Sequence, residues 1–278
     1  MPIESSENLG KNPFDLTGKT AIVTGVLGKL GPVWCEALMN AGATVVGIDL
    51  PGLSISEAFQ ALQLSPEGDR ICLLRGDVCD RTTLLTLRDQ CLKDYGIPDV
   101  LVNNAGIDQP PGPATTYRLE DVPWEVCQKV FEVNTLGAFQ VAQIFGAPMA
   151  EAGRGSIINI GSLYGSVSPD KRLYEHLKAD PPFLKPPAYG ASKAALANLT
   201  RYLATHWGPS GVRVNILSPG GVLGRQDETF KQKFCDRVPL GRMANLSDLV
   251  GPLVFLASDA SAYVTGTELK VDGGFTAW

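Results

Sequence analysis

Tyr189 and Lys193 stand four residues apart in the run Ala188-Tyr189-Gly190-Ala191-Ser192-Lys193. On a helix, positions i and i+4 share a face, so the phenol and the ammonium can address one small site. A phenol, with an ordinary pKa of about 10, exchanges protons poorly near neutrality. A fixed positive charge beside it favours the phenolate and brings the pKa towards the working range. The pair therefore suits proton exchange with a substrate oxygen. By itself Tyr-x-x-x-Lys is a weak signal, because the spacing recurs by chance in many helices. What stands upstream gives it weight.

Gly25-x-x-Gly28-x-x-Gly31 follows a strand-like run, Thr20–Thr24, and opens a helix-like one, Leu30–Asn40. In that context glycines let the backbone turn tightly and approach a pyrophosphate, and a helix N-terminus offers free N–H groups to it. Asp49 closes the next strand-like run, where a carboxylate can accept from both adenosine ribose hydroxyls and would repel a 2′-phosphate. NAD is thus expected as the cofactor, ahead of NADP. Lys29 is the contrary signal, since a basic residue in the turn could reach a 2′-phosphate or simply point into solvent. Asp77, after the third strand-like run, suits either the adenine amino group or an ordinary cap.

The elements that must hold these residues alternate along the chain. Strands are expected at Thr20–Thr24, Ala43–Leu50, Ile71–Leu74, Asp99–Val102, Ser156–Ile160, Val212–Leu217 and Glu268–Val271. Helices are expected at 30–40, 84–95, 124–149, 188–207 and 247–258. The strands are continuous apolar runs, as when helices cover both faces of a sheet. Alternation over the whole chain predicts an α/β fold with a doubly wound parallel sheet in a single domain, residues 17–278, preceded by a loose arm, residues 1–16.

The 278 residues include 44% hydrophobic and 19% charged side chains, enough for a core and unlike a disordered chain. A net charge of −5 gives no general attraction to nucleic acid or an anionic membrane, and no stretch reaches membrane-spanning length. The six cysteines are scattered without C-x-x-C spacing, so neither a metal site nor a disulfide frame is expected. With a polar N-terminus, the expectation is a cytoplasmic protein.

Further motifs complete a pattern: Asn103-Asn104-Ala105-Gly106, Asn134, Ile160-Gly161-Ser162, Ser218-Pro219-Gly220 and Val271-Asp272-Gly273-Gly274. In this order they resemble the short-chain dehydrogenase/reductase family, from about Phe14 to Trp278. The resemblance implies a one-domain Rossmann fold and a small-molecule substrate. It also implies a homodimer or homotetramer packed through the helices carrying Asn134 and Tyr189. Tyr189 would exchange the proton of an alcohol or carbonyl, Lys193 would lower its pKa and hold the nicotinamide ribose, Ser162 would polarise the substrate oxygen, and Asn134 would orient a relay water. Cofactor contacts would come from Gly25, Gly28 and Leu30, from Asp49, Asp77 and Val78, and from Asn104, Ala105 and Gly106. Tyr189, Lys193, Pro219, Gly220 and Val222 complete that set.

The chain departs from the family pattern in three places. Lys29 occupies a usual glycine position of the turn, Gly224 replaces a usual threonine, and 26 residues separate Ser162 from Tyr189. The added segment, at about 166–187, is rich in proline and charge and reads as a substrate loop. Its Lys171, Arg172, Tyr174, Glu175 and His176 are either substrate-binding groups or a solvated face. The surroundings of the insert and the Phe275–Trp278 end resemble a sub-branch associated with sugars, which is an analogy of family only. The expected activity is NAD(P)-dependent interconversion of a secondary alcohol and a ketone on a sugar, polyol or sugar acid. The alternatives are a 3-oxoacyl-thioester reductase, an epimerase or dehydratase suggested by the turn alone, and a non-catalytic dinucleotide sensor.

Overall fold

Seven strands run in one direction and pair edge to edge: β1 (Thr20–Thr24), β2 (Thr44–Asp49), β3 (Ile71–Arg75), β4 (Val100–Asn103), β5 (Gly155–Ile160), β6 (Val212–Pro219) and β7 (Glu268–Val271). A computed structural model, which describes residues 12–109 and 116–278, gives their order as β3-β2-β1-β4-β5-β6-β7. Ala21, Ile22 and Val23 are fully buried, as are Val45, Val46, Leu101, Ile157 and Ile158. The apolar side chains of the central strands are covered above and below, which is why their sequence runs apolar without alternation, while the edge strands β3 and β7 are only partly buried.

Helices α1 (Gly31–Asn40), α2 (Glu57–Gln63) and α8 (Val250–Ala257) join one apolar layer, in which Trp34, Leu38, Phe59 and Leu253 are fully buried. Helices α3 (Arg81–Tyr95), α5 (Ala138–Glu151) and α6 (Pro187–Trp207) join the other, with Leu84, Phe145, Met149 and Leu203. The strands were expected within a residue or two, and the doubly wound, single-domain α/β fold is as expected. The helix expected at 124–149 is α4 (Trp124–Phe131) running into α5 through a wider turn over Glu132–Gly137. Two helices were missed, α2 and α7 (Glu228–Cys235). Each is short, seven or eight residues, and buries one residue, Phe59 or Phe234, so neither prints a helical stripe in the sequence.

The expected arm lies largely outside the described residues. Its end is not loose: Leu16 is buried, its N–H donates to the Ala41 carbonyl (2.8 Å), and the Pro13 carbonyl accepts from Ala260 (2.9 Å). Packing thus begins before the boundary expected at residue 17. The sheet order reverses between β1 and β4, so the carboxyl ends of these strands open a crevice between diverging loops.

Candidate active site

The crevice is a cleft of about 1100 Å³. One end is the glycine turn. Gly25 has φ +69°, and a Cβ there would stand 2.8 Å from the Ala105 Cα, so both the conformation and the approach of the next loop require glycine. A Cβ on Gly31 would meet the Gly25 carbonyl oxygen and the Val26 Cα at 2.4 Å, which is how closely α1 docks behind the turn. No side chain caps α1, leaving its first N–H groups to a ligand. Gly31→Ala should therefore cost about 1–3 kcal/mol by overpacking. It should also weaken dinucleotide binding, both read from urea midpoints and from titration of the variant; unchanged values would refute the close-docking argument.

The loop after β4 braces this turn. Asn104 Nδ2 donates to the Thr24 and Gly25 carbonyls (2.9 Å each), and its Oδ1 accepts from the buried Trp34 indole (2.8 Å). The Thr24 hydroxyl accepts from the N–H groups of Asn104 and Ala105 (3.1 Å each). Asn104 lines the cleft, but its amide is engaged in holding the two loops together.

Asp49, at the end of β2, lines the cleft while Oδ2 accepts from the Leu27 N–H (2.7 Å) and Oδ1 from that of Leu50 (2.8 Å). Lys29 is exposed. Its Nζ reaches across the cleft to the Val222 carbonyl (3.1 Å). Arg75, paired with Asp49 in register, donates to the Leu50 carbonyl (3.0 Å). Asp77 lines the cleft and accepts from the Cys79 N–H (2.9 Å).

At the other end, Ser162 follows β5, and its Oγ accepts from the Tyr164 N–H (3.2 Å). The Ser162 hydroxyl is hydrogen-bonded to Tyr189. Lys193 is buried behind them, donating to the Ile160 carbonyl (2.7 Å), with Nζ 5.9 Å from the Tyr189 ring centroid. The expected lowering of the phenol pKa by Lys193 is not what these groups give. Burial pushes the Tyr189 phenol up, the Asp108 carboxylate adds to that, and the Ser162 hydrogen bond opposes it. Lys193 is itself pulled down by burial, to about 8, with Asp108 acting the other way. At each group the penalty of burying the charged form sets the direction.

That depression has a sign for stability. From about pH 8 up towards 10.5 the folded protein sheds the Lys193 proton while the unfolded chain keeps it, so stability rises with pH in that window and the gain is lost as pH falls through about 8. Unfolding midpoints measured across the window should rise for the wild type relative to Lys193→Met. Parallel curves would contradict the burial of a titrating amine.

Asn134 is the one expected site residue that does not line the cleft. Its Oδ1 accepts from the Ile107 N–H (2.7 Å), and its Nδ2 donates to the Ile107 carbonyl (3.0 Å) and the Ser192 hydroxyl (3.1 Å). Both amide hydrogens are thus engaged, and one lone pair of Oδ1 is left over. It sits in the widened turn between α4 and α5, a distortion common at functional sites. Every other expected residue, from Gly25 to Val222, lines the cleft.

The insert is packed through its apolar residues, while most of its charged residues form a solvated face. Leu173, Tyr174 and Phe183 are buried against Leu163, Phe234, Val238, Met243 and Phe275 in a separate apolar cluster. Lys171, Arg172 and Glu175 are exposed and do not line the cleft, whereas Tyr174 does. His176 pairs with Asp227, the cap of α7 (2.8 Å). Sequence reasoning missed Asp108 and Lys185, which form an ion pair in the cleft beside Tyr189. The available signal was a single lysine in Phe183-Leu184-Lys185-Pro186-Pro187, an apolar, proline-braced run that leads into the Tyr189 helix.

A strand-turn-helix groove meeting a Ser-Tyr-Lys cluster at a sheet switch point defines a dinucleotide-dependent redox fold. The short chain dehydrogenase family model matches residues 19–233, and the chain belongs to that family. It is 33% identical over 275 residues to a D-threitol dehydrogenase of Mycolicibacterium smegmatis, covering 95% of each chain. Among solved structures, a short chain dehydrogenase of Leptospira borgpetersenii with bound NAD+ matches with a TM-score of 0.80 at 32% identity, over 99% of this chain and 97% of that one. A gluconate 5-dehydrogenase of Burkholderia cenocepacia in complex with NADP and tartrate matches at 0.81 and 30%, over 96% and 98%. Among the described residues, no helix is long and apolar enough to cross a membrane.

Proposed function

We propose that the protein is an NAD-dependent dehydrogenase that interconverts a secondary alcohol and a ketone on a polyol, sugar or sugar acid. The observation that carries this reading is the convergence of Ser162, Tyr189 and Lys193 at one end of a cleft whose other end is the glycine turn. The residues fit a dinucleotide: Gly25 and Gly28 line the cleft before the uncapped start of α1, and Asp49 lines the same cleft at the end of β2. When bound, the oxidised nicotinamide supplies the hydride acceptor.

The chain's own groups handle the oxygen and its proton. Ser162 donates to the substrate oxygen, and Tyr189 exchanges its proton: the neutral phenol that burial favours would give it in reduction, and the phenolate would take it in oxidation as hydride leaves the carbon. Lys193 provides the positive charge behind the phenol and donors for the nicotinamide ribose. Asn134 acts as a positioning residue, holding Ile107 and Ser192 on either side of the cluster. Gly25, Gly28, Leu30, Asp77, Val78, Ala105, Gly106, Pro219, Gly220 and Val222 form the walls of the cofactor groove.

NAD is favoured over NADP because the two nearby cations are turned to backbone carbonyls, Lys29 to Val222 and Arg75 to Leu50, while Asp49 faces the cleft. Large apolar side chains exposed on the α4–α6 helices, Trp124, Leu136 and Tyr202, support assembly into a homodimer or homotetramer; a monomer in sedimentation would count against it. The six free thiols accord with a cytoplasmic setting, which cell fractionation would test. The activity itself is tested by incubating polyols, sugars and sugar acids with NAD and NADP in parallel, following the reduced nicotinamide by absorbance. A strong NADP preference would refute the reading of Asp49, and inertness toward every alcohol would refute the reading as a whole.

A further inference from the structure

We propose that Asp108 and Lys185 form a donor–acceptor pair that reads two neighbouring hydroxyls next to the reacting carbon, making a neutral polyol, and not a sugar acid, the preferred substrate. The proposal deepens the secondary-alcohol reading and rests on it.

The pair is built into the cleft from two distant segments. Asp108 comes from the loop after β4, and Lys185 from the insert two residues before α6. Their charged groups are in direct contact. The Lys185 side chain is only 7% exposed, whereas that of Asp108 is 50% exposed, and both line the cleft. Lys185 Nζ stands 5.0 Å from the Tyr189 ring centroid, so the pair adjoins the phenol that meets the reacting oxygen. A lysine this buried requires a counter-charge, and removing one partner leaves the other uncompensated.

The chemistry of the two groups then selects a ligand. An ammonium has three donors and no acceptor, and a carboxylate has acceptors only. Each is partly used on the other, which leaves one donor-rich and one acceptor-rich position side by side. A hydroxyl is both donor and acceptor, so two adjacent hydroxyls satisfy both positions at once. A substrate carboxylate would satisfy Lys185 but meet the like charge of Asp108, and discrimination of this repulsive kind is a common source of specificity. The pair carries no net charge to compensate an anion. Lys193, the other cation next to Tyr189, is buried and turned to the Ile160 carbonyl, and Asp227 near α7 pairs with His176. Tyr164 and Tyr174, hydrogen-bonded to each other in the same wall, extend the hydroxyl-binding surface.

The test measures kcat and KM with NAD for D-threitol, galactitol and D-gluconate, in the wild type, Asp108→Asn and Lys185→Met. The wild type should favour a polyol over gluconate. Asp108→Asn, which keeps the shape and removes the charge, should move the gluconate-to-polyol ratio of kcat/KM towards gluconate by roughly tenfold or more. Lys185→Met should raise KM for the polyol more than it lowers kcat. A purely structural ion pair would lower all three substrates together and leave the ratio in place, overturning the proposal. A wild-type preference for gluconate would overturn it as well, while leaving the dehydrogenase reading intact. Turnover of none of the three, with the dinucleotide shown to bind by titration, overturns the polyol proposal, whereas the dehydrogenase reading falls only with inertness toward every alcohol.

Discussion

Tyr189→Phe is expected to lower kcat by about two to four orders of magnitude, the range typical for loss of a general acid–base group. The phenyl ring keeps its place against Lys185 and Lys193, so only the hydroxyl and its hydrogen bond to Ser162 are removed. Dinucleotide affinity should change little, because the groove residues from Gly25 to Asp49 are untouched. Since the hydroxyl acts mainly as charge develops on the oxygen, kcat and kcat/KM should fall together. The control is Tyr164→Phe, a second phenol in the cleft wall, which should be far milder. If the two variants exchanged these outcomes, the proton would pass through Tyr164 and the assignment of Tyr189 would be wrong.

Asp49→Ser should reduce the preference for NAD over NADP, expressed as the ratio of kcat/KM values, by about 10- to 100-fold. The carboxylate offers charge-assisted acceptors to the ribose hydroxyls and repels a phosphate at the same place. Serine keeps an oxygen there without the charge. Two cations could then turn towards a 2′-phosphate, Lys29 from Val222 and Arg75 from Leu50. Adding Lys29→Met to Asp49→Ser separates their contributions. A ratio unmoved by Asp49→Ser would mean that cofactor choice is made elsewhere in the groove.

Much of this architecture was legible in the sequence because each feature has one physical reading there. Two-sided burial forces apolar strands such as Ala21-Ile22-Val23, and the approach of Ala105 leaves only glycine at position 25. The Tyr189–Lys193 spacing is a property of one helix, and the structure keeps it. What was not legible depends on contacts between segments far apart in the chain. The direction taken by Lys29 is set by a carbonyl 193 residues away. Asn134 and Asn104 were expected to serve ligands, and no local pattern reveals that their amides are engaged by Ile107, Ser192, Trp34 and the glycine turn. The balance at Tyr189 was misjudged for a related reason. Helical spacing gives the distance to Lys193 but not the depth of burial or the carboxylate of Asp108, which together decide the sign.

The apolar cluster formed by Leu173, Tyr174 and Phe183 with Phe234, Met243 and Phe275 is separate from the two layers that sandwich the sheet. The wall that the insert builds is therefore packed as a unit of its own, joined through Leu163 to the strand end that carries Ser162 and through Phe275 to the C-terminal segment. Substitutions confined to that cluster should reshape one wall of the cleft while leaving the sheet and its two covering layers in place. A family built this way can diversify its diet while its redox engine stays unchanged.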